Sequence, residues 1–187
     1  MAPKTKISRD ELINAAVGII REKGSGALNA REIAARLNCS TQPIFSNFAT
    51  MSELEAAAAE AAYGIYLGFL ESEERQGKYP PYKSFGMAYT RFAKEERELF
   101  KLLFMCDREG EAFTPTEDYT RSVEMIMKSG LTREAASRLH LEMWITVHGI
   151  ATMLATSFLS LDEELISGVL TDVYQGLCSR HVYGGKK

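Results

Sequence analysis

Along almost the whole chain the apolar positions recur every three or four residues, the period of one face of an α-helix. Ser8 with Glu11 is a capping-box pair, and Leu12, Ile13, Ala16, Val17 and Ile20 follow at helical spacing until Gly24 and Gly26 stop the run. Asn29 with Glu32 repeats the pattern and opens a short helix whose inner face is Ile33, Ala34 and Leu37. Asn38 tolerates the left-handed backbone of a tight turn. Ser40 then stands as the cap of a very short third helix, with Pro43 in its first turn and Ile44, Phe45 and Phe48 on its apolar side. Three short helices with a three-residue turn before the last make a helix-turn-helix pattern.

Longer elements follow. Ser52 with Glu55 reads as the cap of an alanine-rich helix from Glu53 to about Arg75, broken by Gly77–Pro81. Tyr82–Lys94 and Arg97–Met105 are amphipathic. A polar loop, Asp107–Pro115, leads to Thr116–Lys128, and Thr132–Thr156 and Asp162–Tyr183 complete about nine helices. Strand-like alternation is missing throughout, so the expected fold is all-α.

With 187 residues, 45% hydrophobic and 25% charged, the chain can bury a real core in one domain, or in a small domain joined to a larger one. Its apolar runs are too short to span a membrane, and Met-Ala-Pro-Lys-Thr-Lys lacks a signal-peptide core, so a cytoplasmic protein is expected. Cys39, Cys106 and Cys178 are odd in number and far apart, which suits free thiols in the core rather than a disulfide framework.

The net charge of −3 speaks against nucleic acid until it is divided: residues 1–50 carry +3 and residues 51–187 carry −6. A basic head on an acidic body is a composition that suits a DNA-binding module.

Catalytic candidates are thin. His140 and His148 lie eight apart on one helix, about two turns and roughly 12 Å, too far for one metal ion. His181 stands alone. Asp107, Glu109 and Glu111 come near no histidine and read as loop solvation. No phosphate loop, nucleophile elbow, zinc or calcium motif is present. The sequence asks for no catalytic residue, cofactor or metal, and a non-enzyme is expected.

The segment from Ala30 to Leu54 resembles the DNA-binding head of TetR-type (tetracycline-repressor-like) transcriptional regulators. Ile33-Ala34 matches the start of that pattern, and Asn38-Cys39-Ser40 stands where Gly-Val-Ser is usual. Ile44-Phe45-Ser46-Asn47-Phe48 matches Leu-Tyr-x-x-Phe, and Leu54 the closing Leu. The resemblance covers about residues 8–60, with Ile13, Ala16 and Gly24 matching the first helix and its stop. It departs at Phe45, where the usual Tyr gives its hydroxyl to a phosphate, and at Met51, where a Lys commonly meets the backbone. Lys4, Lys6, Arg9, Arg31 and the helix amides near Asn29 and Ser52 are then expected to take up phosphate anchoring.

The resemblance implies a DNA surface of Arg31, Ser40, Thr41, Gln42, Phe45, Ser46 and Asn47. Within it Gln42 and Asn47 can pair bidentately with adenine and the Thr41 methyl can meet thymine. Ser40 and Thr41 can equally be no more than caps.

Farther on, Trp144-Ile-Thr-Val-His148-Gly149 and Arg91–Phe100 resemble one subgroup's C-terminal domain, which implies an effector pocket. Phe92, Phe104, Met105, Met125, Trp144 and His148 are its expected lining, with an ordinary core Trp and a satisfied core His as the alternative. Ile166, Leu170, Val173 and Leu177 form a coiled-coil-like seam, and Val147, Ala151 and Leu154 a matching stripe. The resemblance makes these a homodimer interface, although an intramolecular core fits them nearly as well.

The expected organisation is a DNA-binding helix-turn-helix domain at 1–51 and an effector-binding and dimerisation domain at 52–187. The expected function is a transcriptional repressor, released from a pseudo-palindromic double-stranded operator by a small-molecule effector. The rivals are an effector-independent architectural DNA binder and an all-α enzyme using the body cavity.

Overall fold

A computed structural model describes the backbone of residues 7–107 and 117–183 and the side chains of 7–107 and 119–180. Nine α-helices are found among the described residues, and no strand: α1 (Arg9–Lys23), α2 (Ala30–Arg36), α3 (Gln42–Asn47), α4 (Met51–Gln76), α5 (Pro81–Glu95), α6 (Arg97–Phe104), α7 (Glu117–Met127), α8 (Arg133–Ala155) and α9 (Glu163–Tyr183). A 3-10 turn, Ser25–Ala27, joins α1 to α2. None of these helices is long and apolar enough to cross a membrane.

The ends of the helices follow local chemistry. Ser8 and Glu11 close the expected capping box, with Ser8 N–H on Glu11 Oε2 at 2.8 Å and Glu11 N–H on Ser8 Oγ at 3.2 Å. The Ser8 N–H and Oγ–H both donate to Glu11 Oε2, at 2.8 and 2.9 Å, and hold the exposed Glu11 carboxyl below its usual pKa. Asn29 Oδ1 accepts from the Arg31 and Glu32 amides. Gly24 ends α1 at φ 83°, and Asn38 adopts φ 49° in the turn before α3.

Two expected caps are corrected. At α3 the capping position is Thr41 rather than Ser40, and no side chain bonds there. Thr41 has αR backbone, so its carbonyl takes over by accepting from the Ile44 N–H at 3.1 Å. At α4, Thr50 Oγ1 accepts from Glu53 N–H (3.2 Å) while the Glu53 carboxylate takes the Ala49 N–H (2.8 Å), so the helix starts ahead of Ser52.

The chain divides into two compact units, residues 1–67 with 96–106, and residues 68–95 with 107–187. The first is built on Leu12, Ile19, Ile20, Ile33, Ile44, Phe48, Leu54, Leu99 and Phe100, all essentially fully buried. It reaches beyond residue 51, taking in the first part of α4 and all of α6. There α6 packs on α1, and Arg21 grips Glu96 through two hydrogen bonds of 2.7 and 2.9 Å.

The second unit packs α5 against α8, with α7 and α9 alongside. Gly86 marks a close approach, since a Cβ there would meet Leu170 Cδ1 at 3.1 Å and Val147 Cγ2 at 3.3 Å. The cysteines are free but not core residues: Cys39 and Cys178 are half-buried and Cys106 is exposed.

Candidate functional site

In the first unit, α2 and α3 form the helix-turn-helix. Ile33 and Ala34 face inward from α2, Ile44 and Phe48 from α3 and its end. This anchoring leaves the other side of α3 to solvent. Gln42, Phe45 and Ser46 are exposed there, with Ser40 just ahead; Thr41 and Asn47 are half-buried.

Local hydrogen bonds decide what each polar group can still do. Ser46 Oγ turns back to the Gln42 carbonyl at 2.9 Å, and Asn47 Nδ2 donates to the Pro43 carbonyl at 2.8 Å. Bidentate pairing with adenine needs both the amide N–H and the carbonyl oxygen of the side chain. Asn47 uses one of its two N–H groups inside the helix and is half-buried, which ties its side chain to α3 and leaves one N–H and the carbonyl oxygen. Gln42 stays exposed with no such bond among the described contacts.

The cations sort in the same way. Arg36 makes a forked pair with Glu22 (2.9 and 2.8 Å), Lys23 pairs with Glu32 at 2.5 Å, and Arg21 is held by Glu96. The Arg36 hydrogen bond lowers the Glu22 pKa and raises that of Arg36. Among the described residues of 7–50, Arg9 and Arg31 are left with no carboxylate partner in the hydrogen bonds and ion pairs. Arg9 sits 4.7 Å above the Phe48 ring, an orientation set by cation–π attraction. Lys4 and Lys6 lie outside the described residues, as do Glu109 and Glu111 and the side chain of His181. Asp107 is exposed.

The six expected pocket residues are divided between the two units. Phe104 and Met105 belong to the first unit, where Phe104 packs edge-on to Tyr66 at 5.3 Å and Met105 is exposed. The other four belong to the second. Phe92 is completely buried against Phe69 (5.4 Å), and Met125 is half-buried. Trp144 is 50% exposed, so it is not a core side chain, and it stacks on half-buried His148 at 5.3 Å. Two clefts of about 280 and 410 Å³ open in the first unit, and none of the six lines either.

A regularity that periodicity alone did not reveal joins α5 to α8. Tyr89 Oη bonds His148 Nδ1 at 2.9 Å and Tyr82 Oη bonds His140 Nδ1 at 3.0 Å. The tyrosines are seven apart and the histidines eight, so two similar rungs tie the helices. Burial disfavours the charged imidazolium and lowers both histidine pKa values. Burial also raises the Tyr82 pKa, and holds Tyr174, 5.6 Å from the Tyr82 ring, up to about 12. Among the described residues no group of His, Cys, Asp and Glu is placed to hold a metal ion.

The expected dimer stripe mostly turns inward. Val147, Ala151, Leu154, Ile166 and Leu170 are buried within the second unit, and Val173 and Leu177 are half-buried. They form an intramolecular core because α5 lies across them, as the Gly86 contacts show. Among the described residues of the second unit, the exposed large apolar side chains are Leu141, Trp144 and Ile145 on α8 and Leu165 and Val169 on α9, with Phe158 and Leu159 between the helices.

Residues 82–169 match the family described as tetracyclin repressor-like, C-terminal domain. No curated protein matches the chain in sequence. A solved member of the TetR family from Streptomyces coelicolor A3 superposes with a TM-score of 0.62 at 19% identity, covering 88% of this chain and 96% of its own. The multidrug binding protein EbrR, solved with imidazole, superposes with a TM-score of 0.58, also at 19% identity and covering 88% of each chain. The chain thus has the fold of the solved TetR family member, and its residues 82–169 are similar in sequence to tetracyclin repressor-like C-terminal domains.

Proposed function

We propose that this protein is a DNA-binding transcriptional repressor acting as a homodimer on a pseudo-palindromic operator and released by a small-molecule effector. The observation that carries the reading is the exposed face of α3 with Gln42, Phe45 and Ser46, held by Ile44 and Phe48 from behind, in a unit whose Arg9 and Arg31 have no carboxylate partner among the described contacts. A second helix presented in this way enters the major groove, and free cations at its margins meet phosphates.

Dimerisation uses the outward row Leu141, Trp144 and Ile145 on α8 with Leu165 and Val169 on α9. The buried stripe beside it fills the second unit. Apolar side chains this large, grouped on neighbouring helices, are what a homodimer contact covers. The effector acts on the second unit, and it must bind the DNA-incompetent spacing of the two heads better than the competent one for release to follow. EbrR, a neighbour in fold, is a multidrug binding protein.

The test is an anisotropy titration of a mixed-sequence duplex from 50 to 200 mM salt. Affinity should fall steeply with salt, and Arg31→Ala should flatten the slope by about one counterion. Absence of binding at 50 mM salt would overturn the reading. The complete burial of Phe92 and the half-exposure of Trp144 favour a second reading, an effector-independent architectural DNA binder. A small-molecule screen that raises Tm and releases DNA decides for the first, and release by no ligand decides for the second.

A further inference from the structure

From Leu37 to Ser52 the chain contains no charged residue. That stretch comprises the turn, all of α3 and the start of α4. The commonest specific contact to guanine, Arg or Lys on its O6 and N7, is therefore not available from the recognition helix itself. The groups α3 does offer are few. Ser46 Oγ–H is bonded to its own helix, and Asn47 is half-buried with one of its two N–H groups tied to the Pro43 carbonyl. Gln42 is exposed with both amide groups available, and Phe45 is an aromatic ring left 53% exposed on a six-residue helix.

Gln42 and Phe45 are three residues apart, so they share a face and are offset by about 4.5 Å along the axis, close to the roughly 3.4 Å step between stacked base pairs. In the major groove an apolar ring has one hydrocarbon partner among the base edges, the C5-methyl of thymine, and a glutamine side chain has one bidentate partner, adenine. Both partners belong to A·T pairs.

We infer that α3 reads neighbouring A·T pairs, with Gln42 on adenine and Phe45 on the thymine methyl, so that this step of each half-site is specified without a cationic side chain from α3. The inference rests on the DNA-binding reading above and adds the base identity. Phe45 is then a specificity residue, and the hydroxyl missing from it removes a polar group from a contact that is otherwise hydrocarbon on hydrocarbon.

The experiment uses the full chain. Duplexes are selected from a random-sequence pool, and the enriched duplex is remade with each thymine of one half-site replaced, one at a time, by deoxyuridine, which lacks only the methyl. For the unmodified protein one such replacement should weaken binding about fourfold, the effect of one buried methyl group. Phe45→Ala should lose that sensitivity and Phe45→Leu, which keeps an apolar side chain, should retain most of it. Gln42→Ala should lose discrimination at the neighbouring pair alone.

Three outcomes overturn the inference while leaving DNA binding intact. They are indifference to every deoxyuridine, a G·C pair enriched at the step sensitive to Gln42→Ala, or an equal weakening of all duplexes by Phe45→Ala, which would place the ring on the sugar-phosphate backbone. If no duplex is retained from the pool at 50 mM salt, the DNA-binding reading fails with it.

Discussion

At the scale of single residues, the deciding quantity is whether a polar group still has a bond to give. Gln42 and Asn47 are both amides on α3, and the sequence cannot separate them, because the half-burial of Asn47 and its one bond to the Pro43 carbonyl depend on where the helix ends. Gln42 stays exposed with both N–H groups to give. Asn38 is the opposite case. Its left-handed φ of 49° was legible, since few residues other than glycine and asparagine accept that backbone. The pairing of the cations was half legible: the basic residues are plain to read, but which of them are taken up by Glu22, Glu32 and Glu96 is a tertiary matter. The prediction at this scale is that Gln42→Ala relaxes base preference at one position per half-site, whereas Arg31→Ala weakens all sequences alike. Binding to a panel of single-base operator variants separates the two.

His140 and His148 give a second prediction. Their pKa values in the folded protein lie below the unfolded value near 6.5. Below that value the unfolded chain therefore binds more protons, and their contribution to stability is present above pH 6.5 and lost as pH falls through the folded pKa values. Tm should drop between pH 7 and pH 5.5, before the carboxylates of Glu22, held low by Arg36, and of Glu163, held low by a 2.7 Å hydrogen bond from Lys78, begin to protonate. The double variant His140→Gln, His148→Gln should show a much shallower drop in that window. A Tm profile of the double variant as steep as that of the unmodified protein would place the acid sensitivity elsewhere.

At the scale of elements, periodicity identified the nine helices but could not say which of two apolar rows faces inward. On α8, Val147, Ala151 and Leu154 make one row and Leu141, Trp144 and Ile145 another; both recur at helical spacing. Burial separates them because α5 covers the first, with Gly86 letting the backbone approach Val147 and Leu170. Helix starts were legible where the cap is strictly local, as at Ser8 and Asn29. They were displaced at α4, where Thr50 with Glu53 and Ser52 with Glu55 offer the same spacing and only one pair meets the turning chain. Phe92 tests the packing of α5. It is completely buried, so Phe92→Ala should destabilise by about 3–5 kcal/mol in urea or thermal unfolding. A loss well below that range would mean that the neighbouring side chains collapse into the space the ring leaves.

For the whole molecule, the outward row on α8 and α9 is the feature on which the proposed assembly depends. A charge placed in a homodimer contact recurs by symmetry in both partners and is desolvated twice, while the same charge on a free surface costs almost nothing. Ile145 is 60% exposed in the single chain, so Ile145→Glu should leave the fold intact, with a change in helix content or Tm no larger than a surface substitution brings, about 0.5 kcal/mol. Sedimentation should nevertheless shift from twice the 20.8 kDa of one chain to a single chain at micromolar concentration. DNA affinity should fall with it, because each monomer then holds one half-site instead of two linked ones. Val147→Glu is the contrasting variant: Val147 is buried against α5, so a carboxylate there should unfold the second unit instead of dissociating a folded dimer. A single chain of 20.8 kDa for the unmodified protein at micromolar concentration would rule out the stable dimer, and with it the pairing of two heads on one operator.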